Sequence, residues 1–106
     1  MFTHAITRQP CKAMFDANSS AGLGPPDYEL ACSQNADYVA ALEACGLVVT
    51  VLPAVQEYPD STFVEDTAVM LPGAVILTRP GAVSRRGEVL ELRPTLEALV
   101  GNISII

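Results

Sequence analysis

The sequence predicts an α/β fold, with two helices set among short β-strands. Runs of β-branched and apolar residues, such as residues 47–52, are typical of strands, and two longer stretches place their apolar residues at helical spacing. Half of the 106 residues are apolar and only 17% are charged, so the chain can form a core and is not disordered. The length favours a single domain. The apolar fraction is high for this size, and we expect part of the surface to contact further protein.

The N-terminal part predicts a strand, a loop and a helix. Residues 2–8 alternate along the chain and carry β-formers, whereas residues 9–26 are polar and rich in turn-forming residues. A loop of that length inside a compact domain is usually functional. Asp27 can cap the first amides of a helix over residues 27–45, and Gly46 can end that helix in the left-handed conformation.

The run at residues 47–52 follows this helix almost without a linker. A continuous β-branched and apolar run predicts a strand that is buried on both faces. Its place after a strand and a helix predicts a βαβ unit, in which the two strands are parallel and the crossover is right-handed.

A hairpin, a second helix and a final strand complete the predicted elements. A turn at Pro72–Gly73 joins the two strands of the hairpin. Apolar residues at helical spacing predict a helix over residues 84–100, which Pro94 should kink or divide. The strands predicted in this half cover residues 62–71, 74–78 and 103–106.

The net charge of −6 disfavours partners that require a basic surface, namely nucleic acids and anionic membranes. The longest apolar run, residues 47–55, is far shorter than the roughly 20 residues of a membrane-spanning helix. Three cysteines without a close pair favour the reducing cytoplasm. His4 is the one histidine, so a Cys/His metal site lacks ligands and no metal is expected.

Two stretches carry the charges that could recognise a ligand. Glu65 and Asp66 are adjacent in an apolar segment, where a strand would point them to opposite faces and where a buried carboxylate requires a cation. Either the pair lies at an exposed strand end or meets an arginine of this chain, or it recognises the guanidinium or ammonium group of a ligand. Arg85 lies at the start of the second predicted helix and suits a carboxylate or phosphate, or else lies in solvent. Asp60 is either a turn residue or part of the site.

Five short motifs, taken in order along the whole chain, resemble the dimethylarginine dimethylaminohydrolases, a family of the guanidino-group-modifying (amidinotransferase, or pentein) superfamily. Each motif alone is weak, but the combination is specific. The motifs are Phe2–Ile6, Gly24–Tyr28, Tyr58–Ser61, Phe63–Thr67, and Thr78–Ala82 followed by Ser84–Arg86.

The resemblance implies a partial α/β propeller of the pentein type, with a little over one ββαβ-type module of the five in a complete propeller. Residues 1–106 would then be an N-terminal segment of a pentein-type domain, truncated at its C terminus. The family hydrolyses methylated arginine to citrulline and an alkylamine, without a cofactor, by means of a late cysteine nucleophile and a histidine. Neither residue has a counterpart here, so we expect no catalytic residue in this chain and no activity from the chain alone.

The same resemblance assigns the substrate-binding residues. Asp66, with Glu65 beside it, would contact the guanidinium of the substrate, and Asp60 would hold its polar amino-acid end. Arg85 would bind the α-carboxylate, and Asn18, in a lid loop, would offer its backbone carbonyl to the α-amino group. The expected partner is therefore a methylated arginine or an arginine analogue.

Two alternatives remain open at this stage. An arginine deiminase or an amidinotransferase would share the Glu65–Asp66 pair. A non-catalytic αβ module would bind a cationic amino acid, or would associate with another copy through the exposed apolar strand at residues 103–106.

Overall fold

The structure is a computed structural model that describes residues 2–16 and 27–106. The chain divides into two compact units, residues 2–62 and residues 63–106, and each is described by itself.

The first unit contains a parallel pair of strands and a long helix. Strand β1 covers His4–Arg8, helix α1 covers Tyr28–Ala44, and strand β2 covers Val48–Leu52. The strands pair in parallel, with Ala5 opposite Val49. This confirms the parallel βαβ order that the sequence predicts.

Both ends of α1 form as the sequence predicts. The Asp27 side chain accepts a hydrogen bond of 3.1 Å from the backbone N–H of Leu30, which satisfies one of the free amides of the first turn. Gly46 has a φ of +89°, the left-handed conformation that ends a helix at little cost only for glycine.

The predicted burial of β2 on both faces is wrong. None of its residues is buried, and Val48 and Val51 are 60% and 42% exposed. The reason lies in the elements around the strand: β1 is its one partner strand among the described residues, and α1, which packs on it, has no buried residue.

The second unit has the order ββαβ. Its elements are β3 (Ala68–Leu71), β4 (Ala74–Leu77), α2 (Gly87–Leu99) and β5 (Ile103–Ile105). In the sheet, β4 lies in the centre, antiparallel to β3 and parallel to β5. The predicted hairpin turn at Pro72–Gly73 is confirmed, with Gly73 at a φ of +75°. The buried apolar core of this unit consists of Val75, Leu77, Val89, Leu92 and Leu96.

The prediction that a strand begins at residue 62 is wrong. Residues Val64–Asp66 form a short 3-10 helix, and the strand begins at Ala68. Thr67 holds this turn locally, because its backbone N–H and its hydroxyl donate hydrogen bonds of 3.0 and 2.7 Å to the carbonyl of Val64. The expectation that adjacent carboxylates lie on opposite faces of a strand therefore does not apply.

The second helix is shorter than predicted, and Pro94 does not divide it. It begins at Gly87 rather than at residue 84, because Val83–Arg85 form a separate 3-10 helix. Pro94 removes the hydrogen bond to the carbonyl of Leu90. Leu90 is 70% exposed, so water can reach this side of the helix.

Candidate functional site

The candidate site is a cluster of three charged residues, Asp66, Arg85 and Glu88, that all belong to the second unit. Arg85 ends the 3-10 helix that precedes α2, and Glu88 is in the first turn of α2. The turn at Val64–Asp66 supplies Asp66. We refer to these three residues as the charge cluster.

Among the described residues, the guanidinium of Arg85 donates hydrogen bonds to Glu88, Asp66 and Phe63. Its Nε and Nη2 bind the two carboxylate oxygens of Glu88 at 2.9 and 2.8 Å. Its Nη1 binds Oδ2 of Asp66 at 2.6 Å, and Nη2 also binds the backbone carbonyl of Phe63 at 3.2 Å. The side chain is only 17% exposed, so these bonds form largely away from water, where they are stronger.

Glu88 is the buried member of the cluster, with 4% of its side chain exposed. A carboxylate at this depth is strongly unfavourable unless it is paired and hydrogen-bonded. The two parallel bonds from Arg85 meet that requirement, and the position in the first helical turn adds a favourable interaction with the helix dipole. Glu88 therefore depends on Arg85 for its burial.

These contacts raise the pKa of the Arg85 guanidinium above its usual value. The hydrogen bond with Glu88 is the largest cause, burial opposes it, and the hydrogen bond with Asp66 adds to it. Because the pKa is higher in the folded chain, the contribution of the Arg85 proton to stability is fully present at neutral pH and is lost only as the pH rises through the folded pKa. Arg85 is therefore a permanent cation at neutral pH.

Asp66 is the accessible member, with 53% of its side chain exposed. Its backbone is fixed, since its carbonyl accepts a hydrogen bond of 2.7 Å from the hydroxyl of Thr78. The sequence left two cations possible for this carboxylate, an arginine of the chain or a ligand. In this structure the cation is Arg85.

The other predicted site residues lie outside the cluster. Glu65 is exposed on the same turn as Asp66. Asp60 belongs to the first unit, on an exposed turn where the N–H of Ser61 donates a 3.0 Å hydrogen bond to the carbonyl of Tyr58. Asn18 lies outside the described residues.

Glu88 is the residue that the sequence did not single out. A signal for it existed: a glutamate three residues after Arg85 lies on the same side of the first turn of a helix, where opposite charges pair. Arg86, by contrast, donates from its Nε to the carbonyl of Pro80 at 2.9 Å and takes no part in the charge cluster.

A groove of about 360 Å³ lies in the first unit, along α1 and β2. It is lined by residues such as Tyr28, Cys32 and Val51, and by none of the predicted site residues that the structure describes. A hydrogen bond with Cys32 is the main cause that raises the pKa of Tyr28 from its usual value of 10.0. The described residues that line this groove include none of Asp, Glu, Lys and Arg.

Within residues 2–16 and 27–106, no helix is long and apolar enough to cross a membrane. The same part of the chain contains no group of three or more histidine, cysteine, aspartate or glutamate side chains that could hold a metal ion.

Comparison with known proteins finds close relatives, although no family profile matches the chain. The chain is 42% identical over 97 residues to N(G),N(G)-dimethylarginine dimethylaminohydrolase from Pseudomonas aeruginosa, a match that covers 92% of this chain and 38% of that protein. It therefore spans about two fifths of the length of this relative.

Solved structures agree with the sequence match. A cysteine-to-serine mutant of the P. aeruginosa enzyme in complex with citrulline has a TM-score of 0.92 and 37% identity, over all of this chain and 42% of its own. A histidine-to-glycine variant of dimethylarginine dimethylaminohydrolase, as its adduct with S-methyl-L-thiocitrulline, has a TM-score of 0.94 and 40% identity, over the same shares.

A more distant structure shares the fold alone. The N-terminal domain of a cyanobacterial arginine dihydrolase is 16% identical and has a TM-score of 0.74, over 95% of this chain and 38% of its own. The predicted partial pentein fold is thus confirmed, and over the two fifths of their length that it spans the chain is a homologue of dimethylarginine dimethylaminohydrolases.

Proposed function

We propose that this chain is the substrate-recognising part of a hydrolase that converts methylated arginine and water to citrulline and an alkylamine. The observation that carries the proposal is the 42% identity with a dimethylarginine dimethylaminohydrolase over 92% of the chain. Residues 1–106 would be an N-terminal segment of a pentein-type domain, and the late cysteine and the histidine of the family would lie outside these residues.

The charge cluster supports this proposal chemically. Methylated arginine carries a guanidinium cation and an α-carboxylate, and the cluster offers one group for each. The exposed carboxylate of Asp66 can accept hydrogen bonds from the guanidinium, and the Arg85 cation can bind the carboxylate. Glu65, Asp60 and the backbone of Asn18 would complete the contacts, as the resemblance to the family implies.

A chimera tests the proposal. In it, this chain replaces the matching 38% of the P. aeruginosa enzyme. We expect the chimera to release citrulline from dimethylarginine, and the chain alone to release none. A chimera that has the circular dichroism spectrum and elution volume of the parent enzyme but no activity would contradict the proposal.

Two matched variants locate the recognition within the chimera. Asp66→Asn keeps the size of the side chain but removes the charge that faces the guanidinium, and we expect it to lower kcat/KM by about 10-fold or more. Glu97→Gln removes the same charge from an exposed pair with Arg93 on α2, and we expect no change. Equal effects of the two variants would contradict a contact between Asp66 and the substrate.

The arginine deiminase or amidinotransferase alternative is less well supported. The arginine dihydrolase shares only the fold, at 16% identity, whereas the dimethylarginine enzymes share 37–42% of the residues. The chimera separates these functions, because a deiminase-like site would accept unmethylated arginine in preference to dimethylarginine.

A second candidate function is association with another chain through β5. Its support is that β5 lies at the edge of its sheet and that Ile105 and Ile106 are 60% and 75% exposed. Sedimentation equilibrium of the chain should then show a dimer that Ile105→Lys dissociates. A monomer over the whole concentration range would contradict this candidate.

We also propose a cytoplasmic location. Its support is that Cys11, Cys32 and Cys45 are all free thiols. We expect mass spectrometry of the chain, alkylated as isolated, to show three modified cysteines, and a disulfide would contradict the proposal.

A further inference from the structure

We propose that Glu88 is a positioning residue of the site: its buried carboxylate fixes one edge of the Arg85 guanidinium, and Asp66 is the partner that a ligand carboxylate displaces. The proposal rests on the proposed function, in which Arg85 binds the α-carboxylate of methylated arginine. It adds a residue that neither the motifs nor the resemblance assigns, and it states which contact opens.

The argument begins with the geometry of the guanidinium. The group is planar and directs its five N–H bonds in fixed directions. Glu88 takes the edge formed by Nε and Nη2, with both of its oxygens, at 2.9 and 2.8 Å. Asp66 contacts a different atom, Nη1, with a single oxygen at 2.6 Å. Two bonds on one edge define the orientation of the plane, whereas one bond does not.

Burial determines which of the two carboxylates can leave. The Glu88 side chain is 4% exposed, so its release would leave a buried charge without a partner, which is strongly unfavourable. The Asp66 side chain is 53% exposed, so water can solvate it when the bond opens. A ligand carboxylate can therefore replace Asp66 at Nη1 at much lower cost than it can replace Glu88.

The exchange also leaves neither Arg85 nor Asp66 without a charged partner. Before binding, Arg85 and Asp66 form one ion pair. After binding, Arg85 pairs with the ligand carboxylate and Asp66 is available to the ligand guanidinium. A ligand with both charges replaces one ion pair by two. With a ligand that lacks the carboxylate, the Arg85 cation and the ligand guanidinium compete for Asp66.

The position of Glu88 is in turn fixed by the hydrophobic core. The next residue, Val89, and one turn further Leu92 are 8% and 3% exposed, so this face of α2 is packed. Packed side chains on a helix hold a functional group more precisely than a loop does. Arg85 lies on a single turn of 3-10 helix and obtains its fixed orientation through Glu88.

The first test measures the arginine side chains of the full chain by NMR. We expect the Nε–H proton of Arg85 to exchange with water at least about 10-fold more slowly than that of Arg93, whose pair with Glu97 is exposed. Asp66→Asn should keep this protection, and Glu88→Gln should remove it. Protection that depends on Asp66 instead of Glu88 would overturn the proposal.

The second test uses the chimera and a pair of substrates, dimethylarginine and its decarboxylated counterpart, dimethylagmatine. We expect Glu88→Gln to raise KM for dimethylarginine by about 10-fold, to change KM for dimethylagmatine by less than about 2-fold, and to leave kcat nearly unchanged. Glu88→Asp, which retains the carboxylate, should restore part of the discrimination between the two substrates. Glu97→Gln is the matched control and should change neither KM.

Three outcomes separate the possible failures. An equal rise of KM for both substrates would show a merely structural role and overturn the proposal. A double variant, Arg85→Ala with Glu88→Gln, removes both charges of the buried pair together. The ratio of its KM values for dimethylarginine and dimethylagmatine should equal that of Arg85→Ala alone. A further loss of discrimination between the two substrates in the double variant would also overturn the proposal. An inactive but folded parent chimera would contradict the proposed function, while the NMR experiment would still decide whether Glu88 fixes Arg85.

Discussion

The two helices of this chain are stabilised in opposite ways. Helix α1 has a side-chain cap at Asp27 and a glycine at its end, yet none of its 17 residues is buried. Helix α2 has no side-chain cap and contains Pro94, yet four of its 13 residues are buried. Local signals therefore specify the ends of α1, and packing on the sheet of its own unit maintains α2 despite its unfavourable local sequence.

Removal of a core side chain should distinguish the helices most strongly. Leu96→Ala in α2 should lower the free energy of unfolding by about 3 kcal/mol, because Leu96 is 1% exposed and the change leaves a cavity. Leu42→Ala in α1 should cost less than about 1 kcal/mol, since Leu42 is only half-buried. Urea unfolding followed by circular dichroism measures both. Equal losses would show that α1 is packed as tightly as α2.

The next effect concerns charges at two depths of the same helix. Glu88→Gln should cost about 2 kcal/mol, because it removes a buried charge that binds Arg85 twice. Glu97→Gln should cost at most about 0.5 kcal/mol, since its pair with Arg93 is exposed and i,i+4. The same urea experiment applies. A similar cost for both variants would mean that burial does not strengthen the Glu88 pair.

Loss of the helix cap should affect α1 and not α2. Asp27→Ala removes the acceptor for the N–H of Leu30 and should destabilise α1 by about 1 kcal/mol. Amide hydrogen exchange measures this effect at each residue, and we expect faster exchange along α1 with unchanged rates in α2. An equal acceleration in both helices would contradict the local origin of the stability of α1.

The smallest effect has the opposite sign in the two units. Within the described residues, the hydroxyl of Thr7 in β1 is a buried group without a hydrogen-bond partner, so Thr7→Val should stabilise the chain by about 0.5 kcal/mol or more. The hydroxyl of Thr67 is equally buried but donates to Val64, so Thr67→Val should destabilise it by about 1 kcal/mol. Thermal melts of both variants provide the measurement. Two shifts of the same sign would contradict this contrast.

The sequence predicts those parts of the fold that depend on neighbouring residues. Asp27, Gly46 and the turn at Pro72–Gly73 act within a few positions of themselves, and all three take the predicted form. Burial of β2 depends on which elements lie above and below it, and a run of apolar residues does not contain that information. For the same reason Pro94 does not divide α2, because packing elsewhere on the helix holds it together.

The sequence predicts which charged residues, Asp66 and Arg85, belong to the candidate site, but not that they pair with each other. Asp66 and Arg85 were both assigned as ligand contacts, and the structure joins them to each other at 2.6 Å over 19 positions of sequence. The 3-10 turn at Val64–Asp66 was hidden by an apolar pattern that also suits a strand. The sequence does not single out Glu88, because an acid near a helix start is most often solvated, and its role follows from its burial.

The ββαβ order also leads us to expect a particular sequence of folding events. Two residues join β3 to β4, so this hairpin can form within microseconds, whereas β5 pairs with β4 only after residues 78–102 have closed a loop. Arg85 and Glu88, three positions apart, can pair as soon as α2 forms. Asp66 lies before the hairpin and meets Arg85 only after the residues between them, 67–84, have closed a loop of their own. We therefore expect the bond that a ligand would open to form later than the local pair of Arg85 and Glu88.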